Sequence, residues 1–157
     1  MLRLLEQSVF SQVVASTPLI SIDLILKSAV NEVLLGKRIN KPAQGFWFVP
    51  GGRVFKNETL DDAFIRISHD ELGFAFNKSD AHFLGVYEHF YDDSQFGELQ
   101  SDRSTHYVVI AYLINISIKN EISPPKDQHN QYAWWSLTNI ENSRDVHRFT
   151  KDYFKNG

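Results

Sequence analysis

The chain has 157 residues, a formal net charge of -3 and no cysteine. That length suits one domain with a real core. The weak negative charge gives no electrostatic footprint for nucleic acid, the missing cysteines exclude disulfides and thiol chemistry and fit a cytoplasmic setting, and no apolar run approaches a bilayer span.

Residues 4–15 carry Leu5, Val9 and Val13 on one side with Phe10 beside them, which predicts an amphipathic helix or arm ended by Ser16-Thr17-Pro18. Leu19 to Leu26 is rich in β-branched residues and reads as a strand with Asp23 among apolar neighbours. Ser28 to Asn31 is a turn, and Glu32 to Lys37 the return strand of a hairpin. After a loop-like start, Trp47-Phe48-Val49 can pair briefly and Pro50-Gly51-Gly52 turns the chain sharply. A helix follows over 59–72, with Thr59 and Asp62 as a capping box and Gly73 as the left-handed stop. His82 to Tyr91 and Thr105 to Ile118 read as strands, with polar loops after each. Tyr132 to Trp135 is a short strand, Ser136 caps a helix to Asn142, and a last helix covers 146–154. Strands with helices between them predict an α/β fold, a mixed sheet covered on both faces.

One residue does not fit its position. Leu60, Ala63, Phe64 and Ile67 recur at helical spacing, and about 100° per residue places Glu71 in the middle of that apolar stripe. A carboxylate there is costly unless it is paired. Arg53, Arg66 or a metal ion could pair with it. Arg66 also stands four residues before Asp70, the spacing of a structural ion pair on the helix surface.

Gly52, Glu58, Arg66, Asp70, Glu71 and Gly73 resemble the Nudix box, G-x5-E-x7-R-E-U-x-E-E-x-G-U, with U a bulky aliphatic residue. Asp70 replaces one Glu, Ser68 falls on an aliphatic position, and Ile67 stands where a metal-holding Glu is usual. The surroundings are similar to GDP-mannose mannosyl hydrolase, a divergent branch of the Nudix superfamily that also lacks this Glu. The stretches that carry the likeness are Ser16-Thr-Pro-Leu19, Leu35-Gly-Lys-Arg38, Pro42-Ala-Gln-Gly45, Trp47 to Val54, Glu71-Leu-Gly73, His89 to Asp93, Thr105 to Val109 and Asp127-Gln-His129. The resemblance implies a single Nudix domain over 1–157, an α/β/α sandwich with an N-terminal arm at about 1–16. It also implies hydrolysis of GDP-mannose to GDP and mannose by water attack at carbon with inversion, and GDP-glucose is a second substrate it allows. The alternatives are a Nudix pyrophosphatase that cleaves a nucleoside diphosphate sugar at phosphorus, and a Nudix-like nucleotide-binding domain without turnover, which the missing Glu at Ile67 invites.

The same resemblance implies one Mg²⁺ per subunit, held by the Gly51 carbonyl, Glu71 and Gln128. It makes His129 the base, with Asp23 supporting the water and Arg38, Arg53 and Tyr107 holding the departing diphosphate. His89 would touch the sugar. Leu4, Leu5 and Phe10 would reach the nucleotide, across a homodimer. Taken without the resemblance, His129 and Gln128 are ordinary loop residues, the arginines surface charge, and Tyr107 and His89 strand packing.

Overall fold

The computed structural model describes residues 4–40, 42–92, 104–117, 119, 122–124 and 129–155, with backbone alone at 129 and 130. Its elements in order are α1 (Gln7–Ser16), β1 (Leu19–Lys27), β2 (Glu32–Arg38), β3 (Trp47–Phe48), β4 (Gly51–Arg53), α2 (Leu60–Leu72), a 3₁₀ turn at Lys78–Asp80, β5 (His82–Tyr91), β6 (Thr105–Asn115), β7 (His129–Ser136), α3 (Leu137–Asn142) and α4 (Arg148–Asp152). The strands form one mixed sheet. β1 and β6 run parallel, while β5–β6, β2–β7, β2–β3 and β1–β4 are antiparallel.

β1 is buried on both faces, Ile20, Asp23 and Lys27 being its less buried positions, and successive side chains leave opposite faces of the strand. Ile22, Leu24 and Leu26 join Ala63, Phe64, Ile67 and Leu72 of α2 in one core cluster. Ile25, Val33 and Leu35 join Ile140 and Val146 in a second cluster, with Tyr153 and Phe154 packed on it. Helices therefore cover both faces, which is the α/β/α sandwich anticipated from the sequence.

α2 forms for the reasons its sequence supplies. The Thr59 side chain accepts from the Asp62 N–H, and Gly73 closes the helix at φ 72°. Ser68 is fully buried but satisfied: its hydroxyl donates to the Ile65 carbonyl and accepts from the Phe76 N–H at 2.8 Å. A hydroxyl at that position ties the segment after the helix back onto it.

Gly51-Gly52-Arg53 is not the sharp turn that glycine content suggests. It is β4, with Asp23 opposite Gly51, Ile22 opposite Gly52 and Ser21 opposite Arg53. β1 thus changes partner along its length, from β4 in its middle to β2 at Lys27. Behind β3, the Trp47 N–H donates to the Asp145 carbonyl and the His147 N–H to the Trp47 carbonyl. This strap carries α4 over the sheet face that holds Asp23.

Candidate active site

The strand registers place most of the predicted functional side chains on one sheet face. Asp23 lies opposite Gly51 on one side and Ala111 on the other. Arg53 lies opposite Ser21, two residues from Asp23. Tyr107 lies between Leu19 and His89. Directly opposed residues share a face, so Asp23, Arg53, Tyr107 and His89 project to the same side. Arg38 ends β2, and its Nε donates to the Pro42 carbonyl at 2.9 Å, which fixes the loop before β3. Arg38 is close enough to lower the pKa of both Asp23 and Tyr107.

Burial dominates the electrostatics here. It raises the Asp23 carboxyl from 3.8 to about 7, against the opposing effects of a Tyr153 hydrogen bond and the Arg38 charge. Burial also raises Tyr107, partly offset by Arg38 and Arg53, so the phenol keeps its proton. It lowers the Arg53 guanidinium, and Arg66 acts in the same direction. Burial, then the charge of His147, brings His89 down to about 4, so its imidazole is neutral at neutral pH. The His89 ring stacks on Phe149 with centroids 4.5 Å apart and planes 3° from parallel.

Gly51 allows close backbone approach. A Cβ added there would lie 2.4 Å from Asp23 Oδ1 and 2.6 Å from the Ile22 carbonyl. Leu24 N–H donates to the Pro50 carbonyl and Val54 N–H to the Ile20 carbonyl. Hydrogen-bonded pairs alternate along an antiparallel ladder, so Gly51 opposite Asp23 is a non-hydrogen-bonded pair. Its carbonyl therefore points away from β1.

On the other side of β4, a Cβ at Gly52 would meet Ile67 Cγ1 at 3.2 Å. Ile67 is sealed in the α2 core, and Glu71 lies one turn later at 7 % exposure. The chain thus offers one inward carboxylate on α2 and a backbone carbonyl outside the ladder. Oxygen donors of this kind suit a hard divalent cation. Among the described residues no three His, Cys, Asp or Glu side chains cluster as a metal site.

Arg66 does more than pair along the helix. Its Nη1 is 4.0 Å from Asp70, the weakest of its contacts. The guanidinium forks onto Glu58, with Nε to Oε2 at 2.7 Å and Nη2 to Oε1 at 3.0 Å, and also donates to the Arg53 carbonyl at 2.8 Å. Glu58 in turn accepts from the Phe55 N–H at 3.0 Å. Burial alone would raise the Glu58 pKa, but Arg66 and Phe55 hold it below its ordinary value. This network braces the loop between β4 and α2 against the helix.

The remaining expected residues divide. Phe10 lies beneath Arg53, whose Cζ is 4.6 Å from the ring centroid, so the arm packs against its own chain at that point. Leu4 and Leu5 are exposed. His129 opens β7 with its backbone opposite Arg38, which brings it to the Arg38 end of the site. Gln128 and Asp127 lie outside the described residues, as does the side chain of His129.

Sequence reasoning missed Tyr153, whose hydroxyl donates to Asp23 Oδ2. It also missed the cleft of about 440 Å³ whose walls include Gln44, Phe46, Tyr91, Asp92, His147 and Arg148. Neither had a local signal, because their parts come from distant stretches of chain.

Comparison with known proteins agrees with this architecture. The chain is 44% identical over 108 residues to the low-salt glycan biosynthesis protein Agl8 of Haloferax volcanii, a match that covers 69% of this chain and spans 65% of that protein's length. It is 28% identical over 143 residues to the ADP-ribose pyrophosphatase of Methanocaldococcus jannaschii, covering 89% of this chain and 76% of that one. In structure it is similar to the MutT protein of Methanosarcina mazei Go1, with a TM-score of 0.68 at 19% identity over 90% of this chain and 94% of that chain. The MutT NUDIX hydrolase of Burkholderia pseudomallei also gives 0.68, at 24% identity over 89% and 98%. A family model described as NUDIX domain matches residues 17–156, and the chain belongs to the Nudix family.

Proposed function

We propose that this protein hydrolyses a nucleoside diphosphate sugar, GDP-mannose first and GDP-glucose second, by water attack at the anomeric carbon. The observation that carries this reading is Ile67 sealed beneath Gly52. An aliphatic side chain in that place leaves Glu71 as the inward carboxylate of α2. That supports one bound cation rather than the multi-metal arrangement that drives attack on phosphorus. The Gly51 carbonyl, Glu71 and Gln128 would hold one Mg²⁺, whose charge would offset the negative charge on the departing diphosphate.

The other groups have the chemistry for displacement at carbon. His129 takes a proton from water as the water oxygen bonds to the anomeric carbon. Asp23 faces the same reaction centre and orients the water. The bond from that carbon to the diphosphate oxygen breaks, and GDP leaves. Arg38 and Arg53 bind its phosphate oxygens through their planar guanidinium groups, and Tyr107 donates from a phenol that burial keeps protonated. Base and leaving group on opposite sides of the sugar ring give inversion. Neutral His89, buried and stacked on Phe149, would border the sugar from within the fold, and the aromatic-walled cleft beside Tyr91 would give the hexose room. The 44% identity to a glycan biosynthesis protein supports a sugar nucleotide as substrate class.

A second reading is a Nudix pyrophosphatase that cleaves at phosphorus, and the likeness to an ADP-ribose pyrophosphatase favours it. The two differ in products. Incubation with GDP-mannose and Mg²⁺ gives GDP and mannose under the first reading, and GMP with mannose 1-phosphate under the second. The working assembly under the first reading is a homodimer in which Leu4, Leu5 and Phe10 of the arm border the nucleotide.

A further inference from the structure

We propose that Tyr153 is a positioning residue that holds the Asp23 carboxylate toward the reacting carbon. This rests on the reading of Asp23 as the carboxylate beside that carbon. The two Asp23 oxygens have different neighbours. Oδ1 occupies the space that a Cβ on Gly51 would fill, over the β4 backbone. Oδ2 accepts the hydrogen bond from the Tyr153 hydroxyl. A short side chain bonded at one oxygen, with the other lying over the glycine backbone, has little freedom to rotate.

Tyr153 is itself held in place. Its ring stands edge-on to Tyr87, with centroids 4.7 Å apart and planes at 85°. Its N–H donates to the Thr150 carbonyl, and it packs against the core cluster of Ile25, Val33 and Ile140. On the far side of the hydroxyl, His89 Nε2 stands at 3.5 Å. Burial and the neighbouring carboxylate keep the phenol proton on oxygen, so the hydroxyl remains a donor at neutral pH. A phenylalanine would make every ring contact that Tyr153 makes. What the hydroxyl adds is the bond to Asp23.

The test is a double-mutant cycle of Tyr153→Phe and Asp23→Ala, read as release of GDP from GDP-mannose with Mg²⁺. Tyr153→Phe should lower kcat about tenfold or more, the effect of one hydrogen bond to a charged group, and leave KM within about twofold. In the Asp23→Ala background, which has no acceptor for the hydroxyl, the same change should do almost nothing, because the two residues act as a unit. An equal loss in both backgrounds, or a change in KM alone, overturns the proposal.

Should the wild type instead release mannose 1-phosphate and GMP, the proposed function falls, and the same cycle read on those products still decides the coupling. If the wild type turns over neither way, a crystal structure of Tyr153→Phe decides. Asp23 rotated away from Gly51 supports the proposal, and Asp23 unmoved overturns it.

Discussion

Asp23→Asn should make the protein more stable at pH 8 while removing the carboxylate proposed to orient the water. The folded chain holds the Asp23 carboxyl at about 7 against an ordinary 3.8 because burial disfavours its charged form. The sign follows from proton binding. Below pH 3.8 the group is neutral in folded and unfolded chains and has no effect on the balance. Between 3.8 and 7 the unfolded chain gives up its proton while the folded chain keeps it, so stability falls as pH rises. Above 7 the penalty is complete. At about 1.4 kcal/mol per pH unit across that interval it reaches about 4 kcal/mol. Asparagine keeps the shape, carries no charge and can still accept from Tyr153.

His89 works in the opposite direction. Its pKa near 4 against 6.5 means that stability falls as pH drops through that interval. Both proteins contain His89, so its effect cancels in their difference. Urea denaturation from pH 4 to pH 8 in EDTA reads that difference directly. The variant should gain up to about 4 kcal/mol at pH 8, roughly 8–16 °C in Tm for a chain of this size, and the gain should shrink toward pH 4. A difference that is flat with pH, or a variant less stable than wild type at pH 8, would refute the reasoning.

Other variants test other parts of the site. Glu71→Gln should weaken Mg²⁺ binding and depress turnover sharply at limiting Mg²⁺; unchanged titration calorimetry and activity would move the metal elsewhere. His129→Leu should lower kcat more than substrate affinity, and a pure KM effect would assign His129 to binding. Arg66→Ala leaves Glu58, whose side chain is 1% exposed, without its fork and should cost about 3 kcal/mol in chemical denaturation. That loss should be present above pH 4.5 and fade as pH falls through the lower folded pKa, because the depressed carboxyl stabilises only when ionised. Asp70→Asn, which touches only the weak contact at 4.0 Å, should change stability little.

What the sequence makes legible here is local. The boundaries of α2 follow from a capping threonine, a terminal glycine and apolar spacing, all within a few residues of one another. The inward position of Glu71 follows from the same spacing. β4 is not legible, because glycines weaken a strand on their own; Gly51 is in one since Asp23 fills the space a side chain would need. The Arg66 fork is hidden for a similar reason. Helical spacing points to Asp70, while Glu58 sits eight residues back across a loop. Tyr153 is the furthest from legible, since 130 residues separate it from Asp23 and the contact is made through packing on Tyr87 and the second core cluster.

The central claim is that water attacks carbon and not phosphorus. Hydrolysis of GDP-mannose in oxygen-18 water with Mg²⁺, followed by mass spectrometry of both products, tests it in one experiment. Attack at carbon puts the label in free mannose and none in GDP. Label in a phosphate group, with mannose 1-phosphate and GMP as products, would contradict it.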